Sequence, residues 1–245
     1  MSATGLIRLS HLIAIQRDLD KLANNVANVS TAGFKGQRSS FKEVLKQASV
    51  SYEHPSRNKN YSTVAASGAT VNFSQGEIEH TGNATDVSIK GDGWFVVQTP
   101  EGNRYTRDGS FRVDRAGQLV SANGQPILTS SGPLTLTGND LNFTIAADGT
   151  ISTAQGPRGK ILVVSFEQTG GLLPAGNNLF RSDQNPTPAA SKAILAQGSL
   201  EKSNVAGAIE MINLVKLSRA YDLTAGMMQK AAASDNLQRL SDTLY

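Results

Sequence analysis

The pattern of apolar and polar positions at the start of the chain predicts an amphipathic helix. Between residues 12 and 29, apolar side chains recur at alternating spacings of three and four, which places them on one face of a helix. Polar side chains such as Gln16 and Asp20 fall on the opposite face. Gly33 follows a run of poor helix formers and suits a C-terminal cap. The apolar stripe consists of Leu12, Ile15, Leu19, Leu22, Val26 and Val29.

The end of the chain shows a second helical pattern. From Ser203 to Tyr245 there is no proline, and the glycines are Gly207 and Gly226. The apolar stripe changes phase along this stretch, which allows a long packed helix but leaves the geometry of its partner open. Its members are Val205, Ile209 and Ile212, then Tyr221, Thr224, Met228 and Ala231, and finally Leu237, Leu240 and Leu244.

Between these helical ends the pattern changes to a period of two, which is typical of strands. Val87 and Ile89 are apolar positions separated by a polar one. Asp108-Gly109 predicts a hairpin turn, because both turn positions accept a positive φ. Further glycine turns follow at intervals of roughly 8–12 residues, a spacing typical of β-sandwiches and barrels. We therefore predict an all-β barrel or sandwich over residues 76–195.

The predicted fold class is α+β, with N- and C-terminal α-helices packed as a coiled-coil-like helical domain and a central all-β domain. Residues 34–75 are polar and weakly patterned, and predict an extended connector with a short helix near 41–48. Two helical stripes packed side by side leave apolar surface over, which indicates assembly with other copies. The predicted domains are residues 1–75 (N-terminal helix plus extended connector), 76–195 (central β domain) and 196–245 (C-terminal helix, which packs with the N-terminal helix).

Composition excludes several classes of function. The chain of 245 residues has no cysteine, so disulfides and thiolate metal sites are excluded. Its net charge of +3 is spread along the sequence with no basic cluster, which argues against a nucleic-acid partner. No apolar run approaches the roughly 18 residues of a membrane span. Residues 1–20 lack the layout of a cleavable signal peptide.

The residues that could carry chemistry form no catalytic or metal-binding pattern. The three histidines, His11, His54 and His80, are too far apart in sequence for a motif such as HExxH. No GxSxG elbow and no phosphate-binding glycine loop is present. Asp92 and Asp108 sit beside glycines, as expected of turns between strands. We predict no enzyme activity, no cofactor and no metal.

Three blocks of sequence resemble the flagellar axial proteins, the family of rod, hook and hook-associated subunits. The first, residues 22–35, reads LANNVANVSTAGFK and is similar to the signature that closes the first helix in this family. The second comprises TGNATDV at 81–87, GDGWF at 91–95 and YTRDGSF at 105–111. The third is GSLEKSNV at 198–205, followed by Arg219-Ala220-Tyr221 and Asp235.

The resemblance implies a structural subunit of the flagellar basal-body rod. Such subunits are exported unfolded through the flagellar type III apparatus, without cleavage of a signal peptide. They assemble helically around an export channel, with the terminal helices innermost, and the rod spans the periplasm and transmits torque. The implied partners are further copies and the other rod proteins, with no nucleic acid and no membrane insertion. The length of 245 residues is nearer that of proximal than of distal rod proteins.

We predict that the helical stripes form the assembly interface. An alternative is that the stripes close one subunit's own helix pair and contact no neighbour. Two alternatives of another class are a peptidoglycan-acting enzyme and a secreted carbohydrate-binding β module. The predicted interface residues are Leu12, Ile15, Leu19, Leu22, Asn24, Asn25, Val26 and Asn28 at one end, with Val205, Ile209, Ile212, Tyr221, Met228, Leu237 and Leu240 at the other.

Overall fold

The computed structural model describes residues 3–47, 60–136, 142–189 and 193–242. This part of the chain has one helix at each end, α1 (Ala3–Ala27) and α2 (Gly207–Asp242), with strands between them. The first strands are β1 (Gln37–Gln47), β2 (Asn60–Val71), β3 (Ile78–His80), β4 (Val87–Gly91), β5 (Trp94–Thr99), β6 (Gly102–Thr106), β7 (Arg112–Val113), β8 (Leu119–Val120), β9 (Leu128–Thr129) and β10 (Gly132–Pro133).

The remaining strands are mostly short and lie in the second half of the chain. A 3-10 turn at Thr169–Gly171 separates two of them. They are β11 (Thr144–Ile145), β12 (Thr150–Thr153), β13 (Gly156–Lys160), β14 (Val163–Ser165), β15 (Leu173–Pro174), β16 (Phe180–Arg181), β17 (Thr187–Pro188), β18 (Ala193–Gln197) and β19 (Ser199–Glu201).

The chain divides into two compact units that are each assembled from separate stretches. The helical unit comprises residues 1–27, 37–70 and 206–245, and the β unit comprises 28–36 and 71–205. The division into three consecutive domains, 1–75, 76–195 and 196–245, stays a prediction. No helix among the described residues is long and apolar enough to cross a membrane.

The prediction of a coiled-coil-like helical domain is wrong. The helical unit contains a two-stranded sheet of β1 and β2 besides its two helices, and α1 packs on both α2 and β1. Ile209 and Ile212, which open the predicted seam on α2, are 58% and 55% exposed. The packing of this unit is therefore not that of a coiled coil, in which one apolar stripe of each helix would be buried against the other helix. The α+β class with a central β-rich region agrees with the structure.

The predicted short helix near residues 41–48 is also wrong, because this stretch belongs largely to β1. The strand is polar, so it shows no alternation of apolar residues that would reveal it. Its structure depends instead on pairing with β2, which begins at Asn60. Pairing between distant segments is a tertiary effect that local propensity does not report.

The β unit is built around a six-stranded sheet with the order β15-β16-β6-β5-β14-β17. Near its centre, β5 pairs antiparallel with both β6 and β14. Alternate side chains of β5 enter two different apolar clusters: Phe95 and Val97 enter one, and Trp94 and Val96 enter the other. Successive strand residues point to opposite faces, so β5 is buried on both sides. Full burial of each such side chain contributes about 1.5–3 kcal/mol.

The predicted hairpin at Asp108-Gly109 is wrong as well. The strand before it, β6, pairs with β5 and β16, and the strand after it, β7, pairs with β8. Gly109 is needed for another reason. Its carbonyl accepts a hydrogen bond from Val87 N at 3.0 Å, and a Cβ atom at this position would lie 1.7 Å from Val87 O. The glycine permits close approach of two backbone segments.

Candidate assembly site

An apolar face of α2 is open to solvent. At 100° per residue its members fall within roughly 160° of the helix circumference. An exposed apolar surface of this extent is typical of a protein–protein interface. The face consists of Ile209, Met211, Ile212, Val215, Leu223 and Met227, whose side chains are between 49% and 66% exposed. Only Ile209 and Ile212 belong to the predicted interface set.

A second face of α2 is half-buried within the helical unit. It contains Tyr221 and Met228 from the predicted set, with Thr224 between them, whose hydroxyl donates to Ala220 O at 2.8 Å. Leu214 and Leu217 extend the same face toward the start of the helix. The prediction missed these two leucines, although their spacings of three and four continue the stripe. The apolar spacing that includes these leucines was present in the sequence, but the stripe in this part of the helix was drawn through Ile209 and Ile212 instead.

The predicted residues of α1 are mostly half-buried. Ile15 is buried, and Asn24 is exposed. The structure adds two exposed apolar residues of α1 that the prediction missed, Leu9 and Ile13. Leu12, Leu19, Leu22 and Val26 are half-buried. Asn28 is half-buried too, but it follows the end of α1 and belongs to the β unit.

Asn25 binds inside the helical unit. Its side chain is 2% exposed. The amide nitrogen donates to Gln37 O at 2.9 Å, and the amide oxygen accepts from Gln37 N at 2.9 Å. This pair of bonds fastens the first residue of β1 to α1. A further contact joins Asn25 Nδ2 to Glu210 Oε2 of α2 at 3.5 Å.

Three other predicted positions lie elsewhere. Val205 is half-buried at the end of the β unit. Leu237 and Leu240 lie in α2, but their side chains fall outside the described part of the structure. The role of the whole predicted set in assembly stays a prediction.

The segment that follows α1 and the segment that precedes α2 bind each other within the β unit. Gly33 N donates to Glu201 O at 2.6 Å, and Asn204 N donates to Phe34 O at 3.3 Å. The side chain of Asn204 adds a third link, because its Oδ1 accepts from Gly36 N at 2.8 Å. We call residues 33–36 together with 201–204 the clamp.

A buried ionic cluster forms the centre of the clamp. Lys35 Nζ donates to Glu201 Oε1 at 2.5 Å, and neither side chain is exposed. Arg107 Nη1 donates to the other carboxylate oxygen at 3.2 Å. Gly76 N also donates to Glu201, at 2.9 Å, and Lys35 donates to Ser74 O at 2.8 Å. Buried charges are tolerated when they are paired in this way.

Burial dominates the electrostatics of the two cations. It lowers the pKa of Lys35 below its usual value, although the neighbouring Glu201 carboxylate favours the charged form. Burial likewise lowers the pKa of Arg107, against the attraction of Glu201 and Asp92. Desolvation thus outweighs pairing at both cations. The guanidinium of Arg107 also lies 5.4 Å from the centre of the Trp94 ring, within cation–π range.

Gly33 lets the clamp close. Its φ is +65°, a conformation that glycine adopts without strain. A Cβ atom there would lie 2.3 Å from the carbonyl carbon of Arg107 and 2.4 Å from Asp108 N. The prediction that Gly33 caps α1 is wrong, because the helix ends at Ala27; the glycine instead serves close packing against residues 107–108.

Two cavities lined by described residues of the β unit offer no organised chemistry. One cavity of about 180 Å³ is lined by aromatic rings and by both signs of charge, and another of about 520 Å³ is lined mainly by amides and Glu167. The described residues contain no group of three or more His, Cys, Asp or Glu side chains placed to hold a metal ion.

The described part of the chain combines an apolar helix face open to solvent with a β unit whose terminal segments are bound together, an arrangement typical of a structural protein. Comparison with known proteins makes this class specific. Residues 8–35 match the family model described as flagella basal body rod protein. Residues 88–153 match the flagellar hook protein FlgE/F/G D1 domain, and residues 196–243 match the flagellar basal body rod FlgEFG protein C-terminal model.

Relatives of known name cover nearly the whole chain. The chain is 34% identical to the flagellar basal-body rod protein FlgG of Buchnera aphidicola, over 94% of this chain and 95% of the relative. It is 32% identical to FlgF of Mesorhizobium japonicum, over 94% and 93%, and 34% identical to FlgF of Caulobacter vibrioides, over 92% of both. The chain belongs to the flagellar basal-body rod protein family.

The three regions matched by family models meet at the clamp. Lys35 comes from the first region, Arg107 from the second and Glu201 from the third. The sequence blocks that carry the resemblance therefore include the residues of the buried ionic cluster. The motifs contained these residues, but the sequence pattern assigned them no structural role.

Proposed function

We propose that this protein is a structural subunit of the bacterial flagellar basal-body rod, that it self-assembles helically, and that it is not an enzyme. The observation that carries the proposal is the exposed apolar face of α2, in a chain that belongs to the rod protein family. Burial of this face against neighbouring subunits would remove apolar surface from water, which favours association.

The partners of this surface are further copies of the chain and the other rod proteins. The exposed and half-buried positions of α1, among them Leu19, complete the proposed interface. A repeated contact between unlike surfaces generates an open helical assembly from identical subunits. In this arrangement the rod encloses the export channel, spans the periplasm and transmits torque. The subunit reaches it through the flagellar type III apparatus without cleavage of a signal peptide, and neither binds nucleic acid nor inserts into a membrane.

Within the rod, the length of 245 residues favours the proximal segment. The alternative is the distal segment, because relatives named FlgG are as similar to this chain as relatives named FlgF. Labelling of isolated basal bodies with antibody against this chain decides between them. Label next to the membrane ring supports the proximal position, and label next to the hook supports the distal one.

A charge introduced into the apolar face of α2 tests the interface. Leu223→Asp places a carboxylate where we expect an apolar contact, so incorporation into rods should fall by about tenfold or more. Asn213→Asp puts the same group at another exposed position of α2 and should leave incorporation unchanged. Leu19→Asp makes the equivalent test on α1. Normal swimming of cells that carry Leu223→Asp and Leu19→Asp would contradict the proposed interface.

A further inference from the structure

The clamp lies within the β unit, and its residues are close in sequence to the points at which the chain passes to the helical unit. The polypeptide crosses from one unit to the other after residues 27, 36, 70 and 205. Gly36 is the last clamp residue before one crossing, and Asn204 is one residue short of another. Force that travels along the chain therefore enters the β unit beside the clamp.

The segment that follows the crossing after residue 70 is also hydrogen-bonded to the clamp. The side-chain nitrogen of Asn204 donates to Asn72 O at 2.8 Å and to Ser74 O at 2.9 Å. Asn72 N donates in turn to Gly36 O at 2.8 Å, and Lys35 reaches Ser74 O. Residues 72–74 directly follow the crossing after residue 70. One asparagine and one lysine thus cross-link three of the four connecting segments.

The contacts of the clamp advance in the same direction along both segments. Gly33 pairs with Glu201, and further along the chain Phe34 and Gly36 pair with Asn204. The first segment connects backward to α1, and the second connects forward to α2. A pull on α1 and α2 in opposite directions therefore slides the two segments past each other. In this shear geometry all the bonds carry the load together, whereas in a peeling geometry they break one after another.

The ionic pair at the centre suits such a role better than a role in overall stability. A buried ion pair contributes little net stability compared with an apolar pair of similar size, because desolvation offsets the attraction. The pair instead fixes the alignment of the two clamp segments relative to each other. The Lys35 ammonium reaches both of its acceptors, Glu201 and Ser74 O, only when the segments are aligned as observed. A displacement of the segments would separate the buried Glu201 carboxylate from the Lys35 ammonium and the Arg107 guanidinium, and so leave buried charges without their ionic partner.

We propose that the clamp is a shear joint that holds the β unit closed when the subunit is loaded through its two helices. Lys35 and Asn204 are its positioning residues. The proposal rests on the proposed function in one respect, since a rod subunit transmits torque. The β unit then stays folded under load because force passes directly from the incoming to the outgoing segment and bypasses its apolar core.

Single-molecule pulling on the full-length chain tests the joint. The chain has no cysteine, so Ser30→Cys and Ala206→Cys, both at exposed positions, give unique attachment points that flank the clamp. Lys35→Met removes the ammonium, and Asn204→Asp keeps the acceptor for Gly36 N but loses the hydrogen bonds that the side-chain nitrogen donates to Asn72 and Ser74. At a fixed force we expect either substitution to raise the rupture rate of the β unit by about tenfold or more.

A second attachment geometry serves as the matched control. Ala122→Cys and Asn185→Cys are exposed positions of the β unit away from the clamp, so pulling there does not shear the two segments. The same clamp variants should change the rupture rate in this geometry by less than about threefold. Val97→Ala, which removes apolar packing in the core, should raise the rupture rate more in this second geometry than in the first, where the clamp carries the load. Clamp variants that leave the rupture rate unchanged in the first geometry, or raise it equally in both, overturn the proposal.

A motility measurement separates this proposal from the proposed function. In cells that carry Asn204→Asp, rods should form, but swimming speed should fall more steeply with medium viscosity than in wild-type cells. Complete rods with a wild-type dependence on viscosity contradict the shear joint alone. Complete rods in cells that lack the gene contradict the proposed function, whatever the pulling experiments give.

Discussion

At the residue scale, the most unusual feature of the described structure is a buried ionic cluster of three side chains, Lys35, Arg107 and Glu201. Lys35 and Glu201 are separated by 166 positions in sequence, yet both are fully buried and paired. No sequence pattern could predict this pair, because a lone lysine and a lone glutamate are ordinarily solvated. The resemblance to a known family placed both residues in motifs without explaining them. Their partnership is a product of tertiary structure.

Removal of the shared carboxylate should be costly. Glu201→Gln leaves Lys35 and Arg107 buried without their counter-charge, so we expect the free energy of unfolding to fall by about 3–5 kcal/mol. Trp94, the one tryptophan, lies in the β unit and reports its unfolding in urea.

A matched control uses the same substitution at the surface. Glu101 pairs with Arg104 at 2.9 Å, but its side chain is 82% exposed. Glu101→Gln should therefore change the free energy of unfolding by less than about 1 kcal/mol. Equal effects at the two positions would show that burial of the ionic cluster does not determine its energetics.

The stability of the clamp should also depend on pH. Burial lowers the pKa of Lys35 below 10.5, so the folded protein loses this proton at a lower pH than the unfolded chain does. The unfolded state then binds more protons between the two pKa values, and stability rises with pH across that window. Below it, both states hold the proton and this contribution is absent.

Urea unfolding of the wild type and of Lys35→Met at several pH values up to 10.5 isolates this dependence. We expect the free energy of unfolding of the wild type, relative to that of the variant, to rise with pH. A relative stability that falls as pH rises would mean that pairing with Glu201 outweighs the desolvation of the Lys35 ammonium.

At the element scale, the helices were predictable and the polar strands were not. The spacing of three and four predicted α1, and the proline-free end of the chain predicted α2. The strands β1 and β2 carry no comparable pattern, because their pairing with each other determines them. The glycine turn at Asp108-Gly109 misled in the opposite direction, since the glycine serves a close backbone approach to Val87. Sequence patterns predict the helices because helical hydrogen bonds form within one segment, whereas strands depend on pairing with distant segments.

The link between α1 and β1 yields a prediction at this scale. Asn25→Ala removes both hydrogen bonds to the Gln37 backbone and leaves those polar groups without partners, at a cost of about 1–3 kcal/mol. Hydrogen exchange at the Gln37 amide should accelerate strongly. Gln16→Ala, on the exposed face of the same helix, should leave that exchange unchanged. Unaltered protection of Gln37 in Asn25→Ala would show that the amide does not hold β1.

At the scale of the whole molecule, the chain combines a helical unit with a solvent-exposed apolar face and a β unit closed by the clamp. The overall class, helical ends around a β-rich centre, followed from the sequence. The composition of the interface followed only in part: Ile209 and Ile212 lie on the exposed face, but Leu223 and Met227 were not predicted. The reason is physical. A helix with two apolar faces has apolar residues at more positions than one stripe would occupy, so its hydrophobic periodicity is weak. The sequence alone does not say which of the two faces packs within the subunit.

Electron microscopy of basal bodies from cells that lack the gene decides whether this protein is a structural subunit of the rod. We expect truncated or absent rods and non-motile cells. Expression of the wild-type chain should restore both rods and swimming, whereas expression of Leu223→Asp should not. Complete rods and normal swimming in the deletion strain would contradict a structural role in the rod.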